Sequence, residues 1–423
     1  MQRQLVPIFA LILGSAFLMI AGGLNGLILP LRGTHEAFST FSLGLLGTGW
    51  ALGYVAGCVW TPKLVRRAGH VRTFAVLAAI AILSVLISLL LVHPGAWIPL
   101  RAMAGFAFAG AAMIVESWLN ERTESRYRGR IFGVYTMVNL ASTTAGQFMV
   151  ALGDTTGHVF FVLAAIFYAM SLIPSAISRV EQPRPLVRTG LDLRGLLKNS
   201  PLAVAGVFLV GISNSTFGTL GVVFGQGIGL GVGDIAAMMS LSLLAGSALQ
   251  IPVGMLSDRI DRRYVLIGLS LVAALVDLYF LVMQPDSALV VLIATGIFGG
   301  AIYSMYPVII AHASDHASPD SFLKISGGLL LVFGLGAIVG PLSGGVAMSF
   351  GPAGLFATTL CAHLALAVYG AWLRTRREAV ADEDKSAFVA QPIGRIATPE
   401  SAALDPRAEE SEAQELTAEP DPE

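Results

Sequence analysis

Long apolar stretches separated by short polar loops run along the chain from Val6 to Leu373. Each is about 20 residues long, the length at which a helix rising about 1.5 Å per residue crosses a hydrocarbon core about 30 Å thick. Stretches such as 74–92 and 355–373 are apolar on nearly every helical face, unlike a soluble helix with one apolar side. The pattern predicts an all-α integral membrane protein with twelve transmembrane helices, at residues 6–31, 41–62, 73–92, 97–119, 131–152, 158–178, 201–224, 234–256, 265–284, 288–312, 324–349 and 353–373.

The composition agrees with this prediction, because 55% of the residues are hydrophobic and only 13% are charged, against about 25% charged in a soluble domain. If the N-terminus is cytoplasmic, every Lys and Arg lies on the cytoplasmic side, except Arg32, which lies outside, and Arg101, which lies within the fourth helix. We therefore expect a multi-pass protein of the cell membrane, the inner membrane in a Gram-negative source, with both termini cytoplasmic. Met1–Pro7 is too short for the start of a cleaved signal peptide, so the first helix is expected to remain.

The chain repeats itself. The basic segment Pro62–Arg72 after the second helix corresponds to Gly254–Arg263 after the eighth, and Asn25 corresponds to Asn214. The repeat predicts two pseudosymmetric bundles of six helices, at 1–178 and 201–373, joined by a cytoplasmic linker at 179–200. The acid-rich tail, 374–423, contains too little apolar surface to fold alone, so we expect it to be disordered. Repeated bundles with a central site are typical of transporters.

Several motifs carry a family resemblance. Gly254–Arg263 resembles the loop signature of the major facilitator superfamily, and Arg101 followed by Gly105 resembles the superfamily's Arg motif on helix four. Further segments are similar to the YcaD-like branch, whose substrates are largely unassigned: Glu116–Asn120, Arg128–Arg130 and Gly340–Pro341. The resemblance covers residues 1 to about 375. It implies the major facilitator fold and a role for Arg101 in lining the transport pathway.

The chain also departs from the family's patterns. In the first loop Pro62 replaces the signature Gly and Arg66 replaces its Asp, which puts in doubt that copy's charge pairing with a neighbouring helix. The second copy keeps Asp258 but has Asp261 in place of its second Gly. The segment 336–345 resembles an antiporter signature, yet it lies on the eleventh predicted helix rather than the fifth. This displacement weakens a direct assignment to drug antiport.

The two loops suggest a cytoplasmic gate. Glycine lets helix ends approach one another, and the Arg side chains can pair with carboxylates across the cytoplasmic face, which would latch one conformation. The alternative is that these Arg residues only fix the topology. The predicted gate residues are Arg66, Arg67, Gly69, Gly254, Asp258, Arg259, Arg262 and Arg263.

Apart from the first residues of helices, three charged side chains fall within predicted membrane helices, where an unpaired charge costs at least about 2.5–3.5 kcal/mol. They are the candidates for proton coupling: Glu116, Arg101 and Asp277. The spacing of Arg101 and Glu116 places both on roughly the same face of one helix, so that they bracket one side of a cavity, with Arg101 toward the outside and Glu116 toward the cytoplasm. Each has an alternative: Glu116 could pair with Arg130 or another loop Arg, Arg101 could extend to the outer interface, and Asp277 could make a local hydrogen bond.

Neutral polar residues complete the candidate substrate cavity, although single polar residues in membrane helices often serve only to join helices. They are Asn25, Asn139, Gln147, Asn214, Gln250, Tyr303 and Tyr306.

Other chemistry is not indicated. No Gly-x-x-x-x-Gly-Lys-Ser/Thr segment is present to bind nucleotide phosphates, and no constellation of nucleophile, base and metal ligands suggests an enzyme. We predict no cofactor, no metal site and no nucleic-acid partner; the partners are a small-molecule solute, protons and membrane lipids, and the protein is a monomer. The prediction is a secondary active transporter of a small solute, working by alternating access with proton coupling, with a polar or anionic metabolite favoured. The alternatives are an exporter of amphiphilic compounds and a non-transporting membrane receptor.

Overall fold

The computed structural model describes residues 2–123, 127–177, 193–316, 322–376, 378, 380–381, 385–391, 397–405 and 407–408. Its helices are α1 (Gln2–His35), α2 (Thr40–Ala68), α3 (His70–Leu90), α4 (Pro94–Arg122), α5 (Arg128–Met149), α6 (Val159–Ile177), α7 (Leu193–Asn199), α8 (Pro201–Gly227), α9 (Val232–Arg259), α10 (Arg262–Met283), α11 (Ala288–Ser314), α12 (Phe322–Ala347), α13 (Gly354–Arg374) and α14 (Pro399–Ala403). Short 3₁₀ turns follow α5 and α12, at Val150–Leu152 and Met348–Phe350.

Every predicted membrane helix coincides with a long helix of the structure. Ten of these helices, within the described part of the chain, have the length and hydropathy of a membrane span. The other two are α5, which carries many polar side chains, and α6, whose described apolar stretch is shorter. The all-α membrane architecture is confirmed, with α5 and α6 as the least typical spans.

The helices pack in the same order in each half of the chain. In the first half α2 packs on α4, α1 on α5 and α6, and α3 on α4 and α6. In the second half α9 packs on α11, α8 on α12 and α13, and α10 on α11 and α13. The repeat seen in the sequence therefore reappears in the packing. Of the predicted linker at 179–200, residues 179–192 lie outside the described residues, and the rest contains α7.

The two halves meet at one end of the molecule. We call the end at which α1 begins and α13 ends the terminal end, and the other the opposite end. Near the opposite end, the backbone of Gly44 on α2 lies against Pro341 on α12, and the Thr48 hydroxyl donates to the carbonyl of Ile338 at 2.8 Å. Ser240 on α9 donates to the Gln147 side chain on α5 at 2.7 Å. These contacts close the opposite end.

The described part of the C-terminal tail, residues 378–408 with their gaps, differs from the expectation of disorder. It lies at the terminal end in contact with both halves, and α14 packs against α4 and α12. Composition averaged over the tail did not reveal this, because a few apolar side chains account for the burial. Ala397, Leu404 and Ala408 are buried, and Phe388 packs against the hydrophobic core.

Close packing of α2 on α4 holds the helix that carries Arg101 and Glu116. A Cβ atom at Gly53 would overlap the backbone of Ala102. We therefore expect Gly53→Ala to separate the two helices and to lower the melting temperature of the purified protein. Gly268→Ala is the matched control, because no atom lies within 4 Å of the added Cβ, and alanine is favoured over glycine in a helix by roughly 0.5–1 kcal/mol. Equal melting temperatures for the two variants would contradict the close packing.

Candidate functional site

A central cavity of about 150 Å³ lies between the two halves. Helices α1, α2, α4, α5 and α6 line it from the first half and α8, α9 and α11 from the second, and one residue of the tail completes it. Apolar side chains such as Phe108 and Met239 form much of the wall. The polar side chains in the wall are Asn25, Arg101, Glu116, Tyr135, Thr136, Asn139, Thr143, Gln147, Tyr168, Ser247, Tyr303 and Gln391.

Arg101 and Glu116 both line this cavity from α4, as their spacing predicted. Arg101 is only 7% exposed, so its guanidinium is directed inward rather than toward the outer interface. Tyr168 on α6 is close enough for its hydroxyl to interact with the Arg101 charge. The cavity wall therefore contains a buried cation.

Glu116 is 2% exposed and held by hydroxyl groups. Its carboxylate accepts a hydrogen bond from Tyr135 on α5 at 3.0 Å and another from Thr398 of the tail. Arg130, one of the predicted alternative partners, is exposed at the start of α5. Among the described residues, no ion pair of Glu116 is found. The latch alternative therefore has no support in the described geometry.

A chain of polar side chains leads away from Glu116. Tyr135 is within hydrogen-bonding reach of Asn139 and Ser15, and the Ser15 hydroxyl donates to the Asn139 side chain at 2.7 Å. The chain connects α4, α5 and α1. Sequence reasoning missed Tyr135, although it lies four residues before Asn139 and therefore on the same face of α5. That spacing was the signal that could have found it.

The predicted cavity residues divide into two groups. Asn25, Asn139, Gln147 and Tyr303 line the cavity, whereas Asn214, Gln250 and Tyr306 are buried outside its wall. The side chain of Gln250 donates to the carbonyl of Tyr303 at 3.4 Å and accepts from the backbone of Gln391 at 3.1 Å. Tyr306 packs edge-on against Phe333, with ring centroids 5.3 Å apart. The prediction that these three line the cavity is not met, because neighbouring helices and the tail cover them.

Asp277 also lies outside the cavity wall, on the side of α10 that faces α13. Its carboxylate accepts a hydrogen bond from Thr359 at 2.6 Å, and His363 Nδ1 lies 2.6 Å from its other oxygen. Asp277 is fully buried, and His363 is 1% exposed. The local hydrogen bond that was the alternative for Asp277 is what the structure contains, so Asp277 is not part of the cavity chemistry.

The predicted gate forms contacts within the second half rather than across the two halves. Arg262, at the start of α10, is 1% exposed and pairs with Asp315 at the end of α11 at 2.7 Å and with Asp258 at 3.3 Å. Burial raises the pKa of Asp261, but hydrogen bonds from Arg263 outweigh burial and hold this pKa below its usual value. Arg66, Arg67 and Arg259 are exposed, and Gly69, with a φ of 79°, joins α2 to α3. The ring of Phe388 covers Gly254.

A helical membrane protein with repeated halves, closed at one end around a central cavity that contains polar and charged side chains, has the architecture of a transporter. A family model of the Major Facilitator Superfamily matches residues 203–404. The uncharacterized MFS-type transporter YcaD of Escherichia fergusonii is 25% identical over 340 residues, which cover 79% of this chain and 87% of that relative. An uncharacterized MFS-type transporter of Enterobacter sp. strain 638 is 28% identical over 346 residues, with the same coverage.

Solved structures share the fold. The nucleoside transporter NupG matches with a TM-score of 0.73 and 14% identity over 88% of this chain and all of that one. A bacterial homologue of the lysosomal transporter Spinster matches with a TM-score of 0.69 and 16% identity over 90% and 97% of the two chains. The predicted resemblance is confirmed: residues 203–404 match the Major Facilitator Superfamily model, and the chain is similar to uncharacterized MFS-type transporters of the YcaD type.

The Asp277 cluster is expected to stabilise the fold rather than to act in transport. Asp277→Ala leaves His363 buried without its partner, and removal of one member of a buried pair costs roughly 3–5 kcal/mol. We expect a clear loss of thermal stability in the purified protein, measured as a fall in melting temperature. Asp286→Asn, at an exposed carboxylate before α11, is the control and should melt like the parent chain. If the two variants melt alike, the cluster is not structural.

Proposed function

We propose that the protein is a secondary active transporter that moves a small solute across the cell membrane by alternating access, coupled to protons. The observation that carries the proposal is the central cavity, closed at the opposite end, into which one helix directs both Arg101 and Glu116. With both termini cytoplasmic, as the distribution of Lys and Arg indicates, the terminal end is the cytoplasmic side. The protein acts as a monomer surrounded by membrane lipid, with one bundle at 1–178 and the other at 201–373.

Alternating access requires that the halves part at the opposite end. The contacts that close this end involve small or neutral groups: Gly44 against Pro341, and single hydrogen bonds at Thr48 and Ser240. Such contacts separate at modest energetic cost, because a typical neutral hydrogen bond contributes only about 0.5–1.5 kcal/mol. This supports a closure that opens and re-forms in each transport cycle.

The cavity wall supports a polar or anionic metabolite as the substrate. A buried guanidinium is a strong partner for a carboxylate or phosphate, and the Asn25 and Asn139 amides offer further hydrogen-bonding groups. A wall that also contains Trp50, Phe108 and Met239 favours the second candidate, an exporter of amphiphilic compounds. The two candidates predict different preferences among anionic, neutral polar and amphiphilic solutes.

Glu116 is the residue we propose for proton coupling. Glu116 is buried, is held by two hydroxyl groups and has no ion pair among the described residues. Ionisation of such a carboxylate is costly, whereas its protonated form costs much less. Arrival of a solute or of water would change that balance. Tyr135, which contacts Glu116 directly, is positioned to hold the carboxylate in place during the change.

The test is proton flux in liposomes that contain the purified protein and a lumenal pH dye. We expect an anionic or neutral polar solute to drive proton movement in the parent chain, and Glu116→Gln to abolish that movement, since an amide does not exchange a proton. Glu121→Gln alters an exposed carboxylate on the same helix and should leave the flux unchanged.

The outcomes separate the candidate functions. Flux driven only by amphiphiles would select the exporter. Solute uptake without proton movement, equal in the parent and in Glu116→Gln, would contradict proton coupling. No solute-dependent flux across the whole panel would select the non-transporting receptor, provided that flux is also absent from a normally melting Thr398→Val chain, in which the tail has lost its hydrogen bond to Glu116.

A further inference from the structure

The C-terminal tail contacts the functional residues of the cavity. We propose that it is an internal plug: the described tail docks between the two halves at the terminal end and blocks the central cavity. The proposal concerns regulation of the transport site and rests on the proposed function for its biological meaning. The blocking of the cavity by the tail can be tested without any assumption about transport.

Contacts with the first half involve the proton-coupling candidate itself. The Tyr54 hydroxyl on α2 donates to the carbonyl of Ala397 at 3.0 Å, and the hydroxyl of Thr398 donates to the carboxylate of Glu116. Ala397 is 4% exposed and Thr398 is 1% exposed, so this part of the tail is inserted rather than laid on the surface. The tail thus occupies one of the two hydrogen-bonding positions of Glu116.

Contacts with the second half hold the other side of the tail. The backbone N–H of Gln391 donates to the Gln250 side chain on α9, and the ring of Phe388 covers Gly254 near the end of the same helix. Ser386 donates to Asp315 at 2.9 Å and accepts from Arg262. The residues predicted as a gate between the bundles therefore receive the tail.

Hydrogen bonds and an ion pair within the tail also hold its docked conformation. Thr398 caps α14, with its hydroxyl accepting from the backbone of Ser401 at 3.3 Å. The side chain of Gln391 donates to Asp405, which is fully buried and paired with Arg407 at 2.6 Å. These bonds join the two described segments of the tail into one unit, and the Arg407 guanidinium lies 4.8 Å from the centre of the Phe322 ring on α12.

Occlusion follows from this placement. The tail contacts α2, α4, α9, α10 and α12 at the terminal end, and Gln391 forms part of the cavity wall. The cavity that remains has a volume of about 150 Å³, and a residue of the tail forms part of its wall. A solute that approaches from the terminal end meets the tail before it reaches Glu116.

The experiment measures access to the cavity by a thiol reaction that needs no solute. Ser247→Cys places a reporter on α9, in the cavity wall and about one helical turn from Gln250, in a full-length chain whose free Cys58 and Cys361 are replaced by Ser. A polar maleimide is applied to the detergent-purified protein. Thr398→Asp places a second carboxylate against Glu116 and should expel the tail. We expect the reporter to be labelled about ten times faster in this variant than in the parent chain, because loss of one hydrogen bond to a charged group changes an equilibrium by about that factor.

Two controls keep the result interpretable. Ala390→Ser changes an exposed tail residue and should not alter the labelling rate. Thr398→Val keeps the side-chain shape but removes the hydroxyl, and it should accelerate labelling even if Thr398→Asp folds poorly. Equal rates in the parent, Thr398→Val and Thr398→Asp would overturn the proposal. Absence of solute flux in every chain would instead contradict the proposed transport, because labelling is independent of flux.

Proximity of the tail to the cavity is tested by cross-linking in the same cysteine-free background. A short bifunctional thiol reagent should join Glu116→Cys to Thr398→Cys within one chain. It should not join Glu121→Cys to Thr398→Cys, because Glu121 is exposed at the end of α4. Equal yields for the two pairs would place the tail outside the cavity and overturn the proposal.

Docking of the tail should weaken as the pH rises. Burial raises the pKa of Glu400 on α14 to about 7, so the docked tail binds a proton more strongly than a released one. Docking is therefore strongest below the ordinary Glu value and is weakened as the pH rises through about 7. The titratable or charged side chains at this end of the helices packed on α14 are Glu116, Glu121 and Arg122 on α4 and Lys324 on α12, and only Glu116 among the carboxylates is buried.

The measurement is the labelling rate of the Ser247→Cys reporter in the chain with the native tail, divided by its rate in the Thr398→Asp chain at the same pH. The division cancels the pH dependence of the thiol's own reactivity. This ratio should rise between about pH 6 and about pH 8. In Glu400→Gln, which does not ionise, the rise should be lost. A ratio that is flat with the native tail would contradict the pH dependence of docking.

Discussion

A charged group within the hydrocarbon region must find its polar partners inside the protein, and the arrangement of this molecule follows from that constraint. Arg101 and Glu116 satisfy it by facing the central cavity from one helix. Asp277 satisfies it by contact with Thr359 and His363, between two helices of the same half. The same physical requirement thus produces two kinds of site. One faces a central cavity, and the other is sealed by packing.

The difference between the two sites lies in how fully the carboxylate is surrounded. Asp277 has a hydroxyl and an imidazole from α13, and no solute is needed to complete its coordination. Glu116 has Tyr135 from the bundle, whereas its second donor, Thr398, belongs to the tail. When the tail leaves, Glu116 loses a hydrogen bond that only water, a solute or a proton can replace. A carboxylate left incomplete by the bundle alone is suited to a transport cycle.

Much of the fold could be predicted from the sequence, because hydropathy reports directly on lipid contact. The helix positions, the repeat and the shared face of Arg101 and Glu116 all follow from local spacing. Asn214 and Gln250 were misplaced, since spacing identifies a helical face but not which neighbour covers it. The tail could not be predicted, because its burial depends on Phe388 and Ala397 meeting a slot that exists only once both halves are folded. Average composition contains no information on such a match.

The tail is held between two halves that are related by pseudosymmetry but differ in chemistry. Glu116 has no counterpart in the second half, where Ile310 occupies the equivalent position, so the proposed proton chemistry belongs to the first half. The tail, however, is held mainly by the second half, through Gln250, Arg262 and Phe322. Thr398 bonds to Glu116 of the first half while the rest of the tail is bonded mainly to the second half. We therefore expect docking of the tail to be coupled to the conformation in which the opposite end is closed. A tail that fits only this conformation would stabilise it by the binding free energy of the tail.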